Sequence, residues 1–273
     1  MSAVTQNDIT EAYKRAGAVP GDTIVYHGSM KSIGYVEGGA VALIDGILNS
    51  AAPGGTAAIG TLWYNGKVEE RPPEKFDIAT SPAYNGAMAE AMRLDPRSVR
   101  SNNFSHSVNA VGVRKFELTE NHGEGKKYAT PWDDEAFAEI SPWTKFYTWN
   151  ALYTFIGVDL NVCTMKHLIE GRFVDKYLSL LPVELRQEYR LRLAHDLQPG
   201  PWPYFNMVKM RPILEEKNLI TYTTLGNATL MAIRTRPMVE ETLKELEKAP
   251  VEWMKGGILA WVEEIKNYHA SHQ

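Results

Sequence analysis

Short apolar runs alternate along this chain with stretches of helical period, and that order predicts an α/β fold. The runs that read as strands are Thr23–Tyr26, Thr56–Thr61, Leu152–Val158, Ile220–Thr224 and Ala228–Thr235. Helical patterns cover Asn7–Ala16, Gly39–Ser50, Pro82–Leu94, Met165–Leu180, Pro182–Leu197, Pro237–Glu247 and about Val251–Tyr268. Asn7 or Asp8 is the expected cap of the first helix. Two segments follow neither period: Asn65–Lys75 (NGKVEERPPEK) and Asn121–Glu139 (NHGEGKKYATPWDDEAFAE). Connections of this length act as binding loops or lids, or are solvated insertions. The PGPWP run at Pro199–Pro203 stops the helix before it, because proline lacks the N–H that continuation needs. The expected architecture is one α/β domain over residues 1–273, a central mixed sheet flanked by helices, with a small helical lobe at 171–203.

Within that pattern, Gly21–Gly39 (GDTIVYHGSMKSIGYVEGG) places a buried strand before a polar, glycine-containing loop, and a helical pattern opens at Gly38. Such a unit aims backbone N–H groups and small side chains into one crevice, which suits phosphates and extended amide-containing cofactors. His27, Ser29, Lys31 and Ser32 are expected to overhang it. The loop fits neither GxGxxG nor GxxxxGK[ST], which gives little support to dinucleotide or nucleotide-triphosphate binding. A second informative stretch is Asn161–Glu170 (NVCTMKHLIE), directly after a buried strand. Thr164 occupies an N-cap position and His167 falls in the first helical turn, where the positive end of the helix disfavours imidazolium. A neutral imidazole is what a general base requires. Glu170, three residues on, shares its face and can orient the ring.

Composition narrows the partners. Of the 273 residues, 44% are hydrophobic and 23% charged, ordinary values for a globular chain large enough to bury a substantial core. A net charge of −4 argues against nucleic acid, which needs a clustered basic surface. No apolar run nears the roughly 18 residues that span a bilayer. The N-terminus shows no apolar h-region, so no signal peptide is expected. Cys163 is the only cysteine, which excludes an internal disulfide and favours a cytoplasmic setting. It reads as an inert buried thiol. His122 has no second histidine at ligand spacing, so it reads as part of a solvated loop, and no metal is expected. Trp63, Tyr64, Trp132, Trp143 and Trp149 can stack on a sugar or adenine ring, though most such rings are core. The Glu-Glu and Asp-Asp-Glu runs read as exposed faces.

The residues resemble the aminoglycoside N3-acetyltransferase (antibiotic N-acetyltransferase) family. GDTIVYHGSMKSIGYVEGGA looks like its opening motif, GGTAAIGT like its next strand, and FDIATSPAYNGAMAEAMRL with RSNNFSHSVNAVG like its central block. GVDLNVCTMKHLIE is similar to its G-x-x-x-x-x-x-T-x-x-H-x-x-E signature, and the tail from LEEKNLITYTT to MVEETLKEL fits its C-terminal pattern. The resemblance runs from about Asp8 to Leu246. It implies acetyl-CoA as acyl donor and a small-molecule primary amine as acceptor, on an amino sugar, an aminoglycoside-like molecule or another natural product. It also implies that the loop with His27, Gly28, Ser29, Lys31, Ser32 and Gly34 holds CoA. His167 then takes the acceptor's proton as the amine attacks the thioester directly, with Glu170 in support and Thr164 or nearby amides facing the oxyanion. A homodimer is compatible with this reading.

The chain departs from the family's R-S-x-H-P-x-x-S block. Arg100, Ser101 and Ser107 match, but Asn103-Phe104 replaces His-Pro, and asparagine cannot take a proton. His106 is the nearest substitute. The family's acidic residues find only approximate counterparts in Glu69, Glu70, His195 and Asp196, while the long second segment brings Asp133, Asp134 and Glu135. Tyr64, Asn103, His106 and Asp133 are therefore the candidate acceptor contacts. The changes fall where the acceptor should bind, so a retained donor and an altered acceptor are expected. The competing readings are a CoA-independent hydrolase or other acyl-transfer enzyme on the same scaffold, and a non-catalytic ligand-binding member.

Overall fold

The computed structural model describes residues 3–64, 73–131, 133–193 and 201–272. Glu69, Glu70, Trp132, His195 and Asp196, and most of the Asn65–Lys75 segment, lie outside the described residues. Seven strands form one sheet: β1 (Thr23–Gly28), β2 (Thr56–Gly60), β3 (Val99–Arg100), β4 (Val108–Gly112), β5 (Leu152–Ile156), β6 (Ile220–Leu225) and β7 (Ala228–Arg234). Their order is β3-β4-β2-β1-β5-β7-β6. Only the centre is parallel: β1 pairs with β2 and β5 in that sense, and the outer pairs are antiparallel. The sheet is thus mixed, and both faces carry helices.

The helices are α1 (Gln6–Arg15), α2 (Met30–Ile33), α3 (Gly39–Ser50), α4 (Ala87–Leu94), α5 (Lys115–Thr119), α6 (Pro142–Trp149), α7 (Met165–Ser179), α8 (Val183–Leu191), α9 (Met207–Glu216), α10 (Thr235–Lys248), α11 (Pro250–Trp253) and α12 (Gly257–Ser271). On one face Ile24 and Tyr26 pack against Ile9 and Tyr13 of α1, Leu43 and Ile47 of α3 and Met92 of α4. On the other, Val25, Tyr153 and Phe155 meet Trp143 and Phe146 of α6, Leu168 and Phe173 of α7 and Met238 of α10. Burial on both faces is why β1 reads as a continuous apolar run rather than an alternation.

Several boundaries differ from expectation. Thr5, not Asn7 or Asp8, caps α1: its hydroxyl accepts from the Asp8 N–H at 3.2 Å and Asp8 returns a bond to the Thr5 N–H at 2.8 Å. β5 ends at Ile156 because Gly157 turns left-handed at φ 63°. The expected last helix is split into α11 and α12 by Gly256 at φ 69°. α4 begins at Ala87, after Gly86 at φ 117°, rather than at Pro82. Strands β3 and β4 and helices α2, α5, α6 and α9 lie outside the expected set. β3 is two residues long, and α9 carries Pro212 in its interior, which argues against a helix. Among the described residues, no helix is long and apolar enough to cross a membrane.

Candidate active site

Because β1 and β5 are adjacent and parallel, their C-terminal ends open on the same edge, with Gly28 in register with Ile156. The loop after β1 and the turn leading into α7 therefore converge, as sites do where open α/β sheets switch direction. They touch directly: Gly157 is the residue after β5, and a Cβ there would lie 2.3 Å from Ser32 Cβ. Within the loop, Ser29 caps the short α2, Lys31 is exposed and Gly34 adopts φ 96°. His27 does not overhang this crevice. Its ring is buried below the loop, 5.5 Å from the Tyr153 ring and 6.0 Å from Phe155, with Nε2 3.4 Å from Thr164 Oγ1. Burial lowers its pKa to about 4, so it is neutral at pH 7.

Thr164 is not a side-chain cap of α7. Its backbone is already helical (φ −66°, ψ −29°) and its hydroxyl makes no capping bond. Its N–H donates instead to the Tyr153 hydroxyl at 3.1 Å, which leaves the hydroxyl near His27.

One turn on, His167 Nδ1 lies 2.8 Å from Glu170 Oε2. The same oxygen accepts the Trp202 indole N–H at 3.0 Å. The Glu170 side chain is fully buried, and that of His167 is 14% exposed. An indole can only donate, so a carboxylate oxygen receiving both groups obliges Nδ1 to carry the ring proton. The lone pair then resides on Nε2. No sequence pattern singles out Trp202. It sits in PGPWP, where the prolines drew attention as helix breakers, and nothing in its spacing ties it to Glu170.

The altered central block lies on the other flank. His106 and His167 rings meet edge to face at 5.9 Å, and Phe137 lies 4.9 Å from the first and 6.1 Å from the second. Asn103 is buried and committed: its Nδ2 donates to Asp133 Oδ2 at 2.5 Å, and its Oδ1 accepts the His106 N–H at 2.6 Å. Ser105 Oγ lies 3.2 Å from Asp133 Oδ2 and 3.0 Å from His106 Nδ1. Burial raises the Asp133 pKa above its ordinary value, and burial pushes His106 well below its own. Asp133 is thus not part of an exposed acidic face, although Glu135 is exposed and paired with Lys127. Tyr64 is buried beside Phe104, its ring 5.7 Å away.

Residues that match the family block brace this flank. Arg100 donates to the Ser81 and Thr61 carbonyls at 2.5 and 2.7 Å and to Ser107 Oγ at 3.0 Å. Ser101 Oγ accepts the Val108 N–H at 2.9 Å. His122 is no solvated loop residue. It is buried, with Nδ1 2.8 Å from Ser101 Oγ and Nε2 2.9 Å from the Ala136 carbonyl, and burial lowers its pKa to about 4. The 121–139 segment is accordingly packed inward, with Ala136, Phe137 and Ala138 fully buried. Trp143 is core, its indole N–H bonded to the His106 carbonyl at 2.8 Å, whereas Trp149 faces the Arg114 guanidinium. Cys163 is buried and its thiol is pushed up to about 12, which makes it inert.

The architecture is that of the aminoglycoside acetyltransferases. The solved structure of AAC-IIIb in binary complex with CoASH superposes with a TM-score of 0.66 at 17% identity, covering 94% of this chain and 100% of that one. The chain belongs to the aminoglycoside 3-N-acetyltransferase family, whose model matches residues 25–247. Among curated relatives, the SPbeta prophage-derived aminoglycoside N(3')-acetyltransferase-like protein YokD of Bacillus subtilis (strain 168) is 30% identical, over 62% of this chain and 65% of its own length. The aminoglycoside N(3)-acetyltransferase III of a Salmonella sp is 31% identical, over 61% of this chain and 60% of its own. The chain thus spans less than two thirds of the length of these relatives.

Proposed function

We propose that the protein transfers an acetyl or other short acyl group from acyl-CoA to a primary amine, with His167 as general base. The observation that carries this reading is the His167–Glu170–Trp202 chain of hydrogen bonds at the C-terminal edge of the parallel strands. It holds Nδ1 as the donor and aims the basic character at Nε2. Nε2 takes a proton from the amine as its nitrogen attacks the thioester carbonyl. The C–S bond breaks, and the thiolate leaves as CoA, so no acyl-enzyme forms. The CoA-bound relative and the close, small-residue contact of Gly157 with the Ser29–Ser32 loop support placing the donor there. With the Thr164 amide engaged by Tyr153, its hydroxyl is the remaining Thr164 group for the developing oxyanion.

For the acceptor we infer an amine on an amino sugar or another natural-product scaffold. Asn103, His106 and Asp133 form a polar, largely buried wall beside His167, and Asp133 supplies the negative charge a cationic acceptor seeks. The single buried thiol agrees with a reducing, cytoplasmic setting. The decisive experiment is thiol release from acetyl-CoA against a panel of aminoglycosides, amino sugars and aminated nucleotides. Release that depends on an amine and vanishes in His167→Ala supports the transferase. Release without any amine would favour hydrolysis, and the lack of both release and CoA binding would overturn the reading.

A further inference from the structure

A cavity of about 540 Å³ opens beside Trp202. Its volume lies in the range of small-molecule sites, roughly 300–1,000 Å³. Ring surface comes from Trp202, Tyr204, Phe205 and Trp253, and cationic charge from Lys166 and Lys255. Among the described residues, no carboxylate lines it, and neither lysine has an ion-pair partner. Lys126, Lys176, Arg192 and Arg211, by contrast, are paired. What the cavity combines is two lysines without ion-pair partners and four aromatic rings. Trp253 and Lys255 also lie beyond residue 247, where the family match ends. This wall is supplied by the α11–α12 region, which closes over α9: Lys209 bonds the Glu252 carbonyl at 2.9 Å and sits 4.8 Å from the Trp253 ring centroid.

We propose that this pocket binds a nucleotide, its base against the aromatic wall and its phosphate toward Lys166 and Lys255. Aromatic faces accept any planar base, and an ammonium pair favours an anion. Trp202 is shared: it lines the cavity and donates to Glu170, so the occupant bears on the group that holds His167. The nucleotide has two sources, the adenine nucleotide end of a CoA thioester or a free nucleotide.

The test is isothermal titration of the full chain with AMP, repeated on Lys255→Met and Trp253→Ala. Expected is saturable binding, weakened about tenfold or more in each variant and further weakened by added salt. Lys255 is exposed, so its substitution leaves the fold intact. Absence of binding heat, or unchanged affinity in both variants, would overturn the site. Competition then separates the sources. AMP that displaces acetyl-CoA identifies the donor's own nucleotide end, and simultaneous binding identifies a free nucleotide. Since the readout is binding, its failure leaves the acyl-transfer reading to be judged by thiol release.

Discussion

The two flanks of His167 are built on different principles. On the β1–α7 flank the backbone does the work: parallel strands in register, a left-handed glycine and a short loop bring groups together. On the β3–β4 flank the contacts are made by side chains, to one another and to the backbone. Asn103, Ser105, His106 and Asp133 satisfy one another in a buried network, and Arg100 and His122 cross-link the segments that carry them. A backbone-built crevice accepts any ligand of the right shape and survives sequence change elsewhere. A side-chain network is specific, and one substitution within it obliges others. Asn103 and Asp133, bonded at 2.5 Å, are such a pair.

The sharpest break in this comparison is His167→Ala, which should lower kcat by about 10²–10⁴, the usual contribution of a general base, while acetyl-CoA affinity measured by calorimetry stays unchanged. Glu170→Gln should cost less, about 100-fold in kcat. Its pH–rate profile should also move, because a neutral amide no longer orders the imidazole proton. A kcat loss with an unmoved profile would reduce Glu170 to packing. Asn103→Ala leaves the half-buried Asp133 without its shortest partner and should destabilise the protein by about 1–3 kcal/mol, read from denaturant midpoints. Gly157→Ala probes the opposite flank. Its strained φ and the Ser32 contact should cost about 1–3 kcal/mol and raise the acetyl-CoA KM, leaving the KM for the amine unchanged.

A further effect should be in pH dependence. His27 and His122 are held at about 4 against an ordinary 6.5, so between those values the unfolded chain binds more protons. Stability is full above about pH 6.5 and falls as pH drops toward 4. Asp133 acts with the opposite sign, because its pKa is raised and its contribution is lost as pH rises through it. A chemical-denaturation series over pH 4–8 gives the net slope. A flat profile would show that the buried imidazoles are not the acid-sensitive points.

The same division explains what was legible in the sequence. The β1 loop and the Thr164–His167–Glu170 spacing were readable because strand, turn and helix are local patterns. The mixed sheet flanked by helices followed from alternating runs, but not which of its pairs are parallel. β3 was hidden by its two-residue length, β4 by its polar neighbours, and α9 by Pro212. The Asn103–Asp133 bond joins residues 30 apart, and Trp202 reaches Glu170 from 32 away. No periodicity encodes such pairings. His122 was misjudged for the same reason: its loop is polar in sequence, yet its partners, Ser101 and Ala136, lie on other segments.

The indole proton of Trp202 also gives the molecule a built-in gauge. It rests on the oxygen that faces His167, inside a wall largely closed to solvent. Its nitrogen-attached resonance in an NMR spectrum should shift whenever charge moves along that pair, and should exchange slowly with deuterium. The state of the imidazole can thus be followed without label or inhibitor, from a residue whose only link to it is the shared Glu170 oxygen.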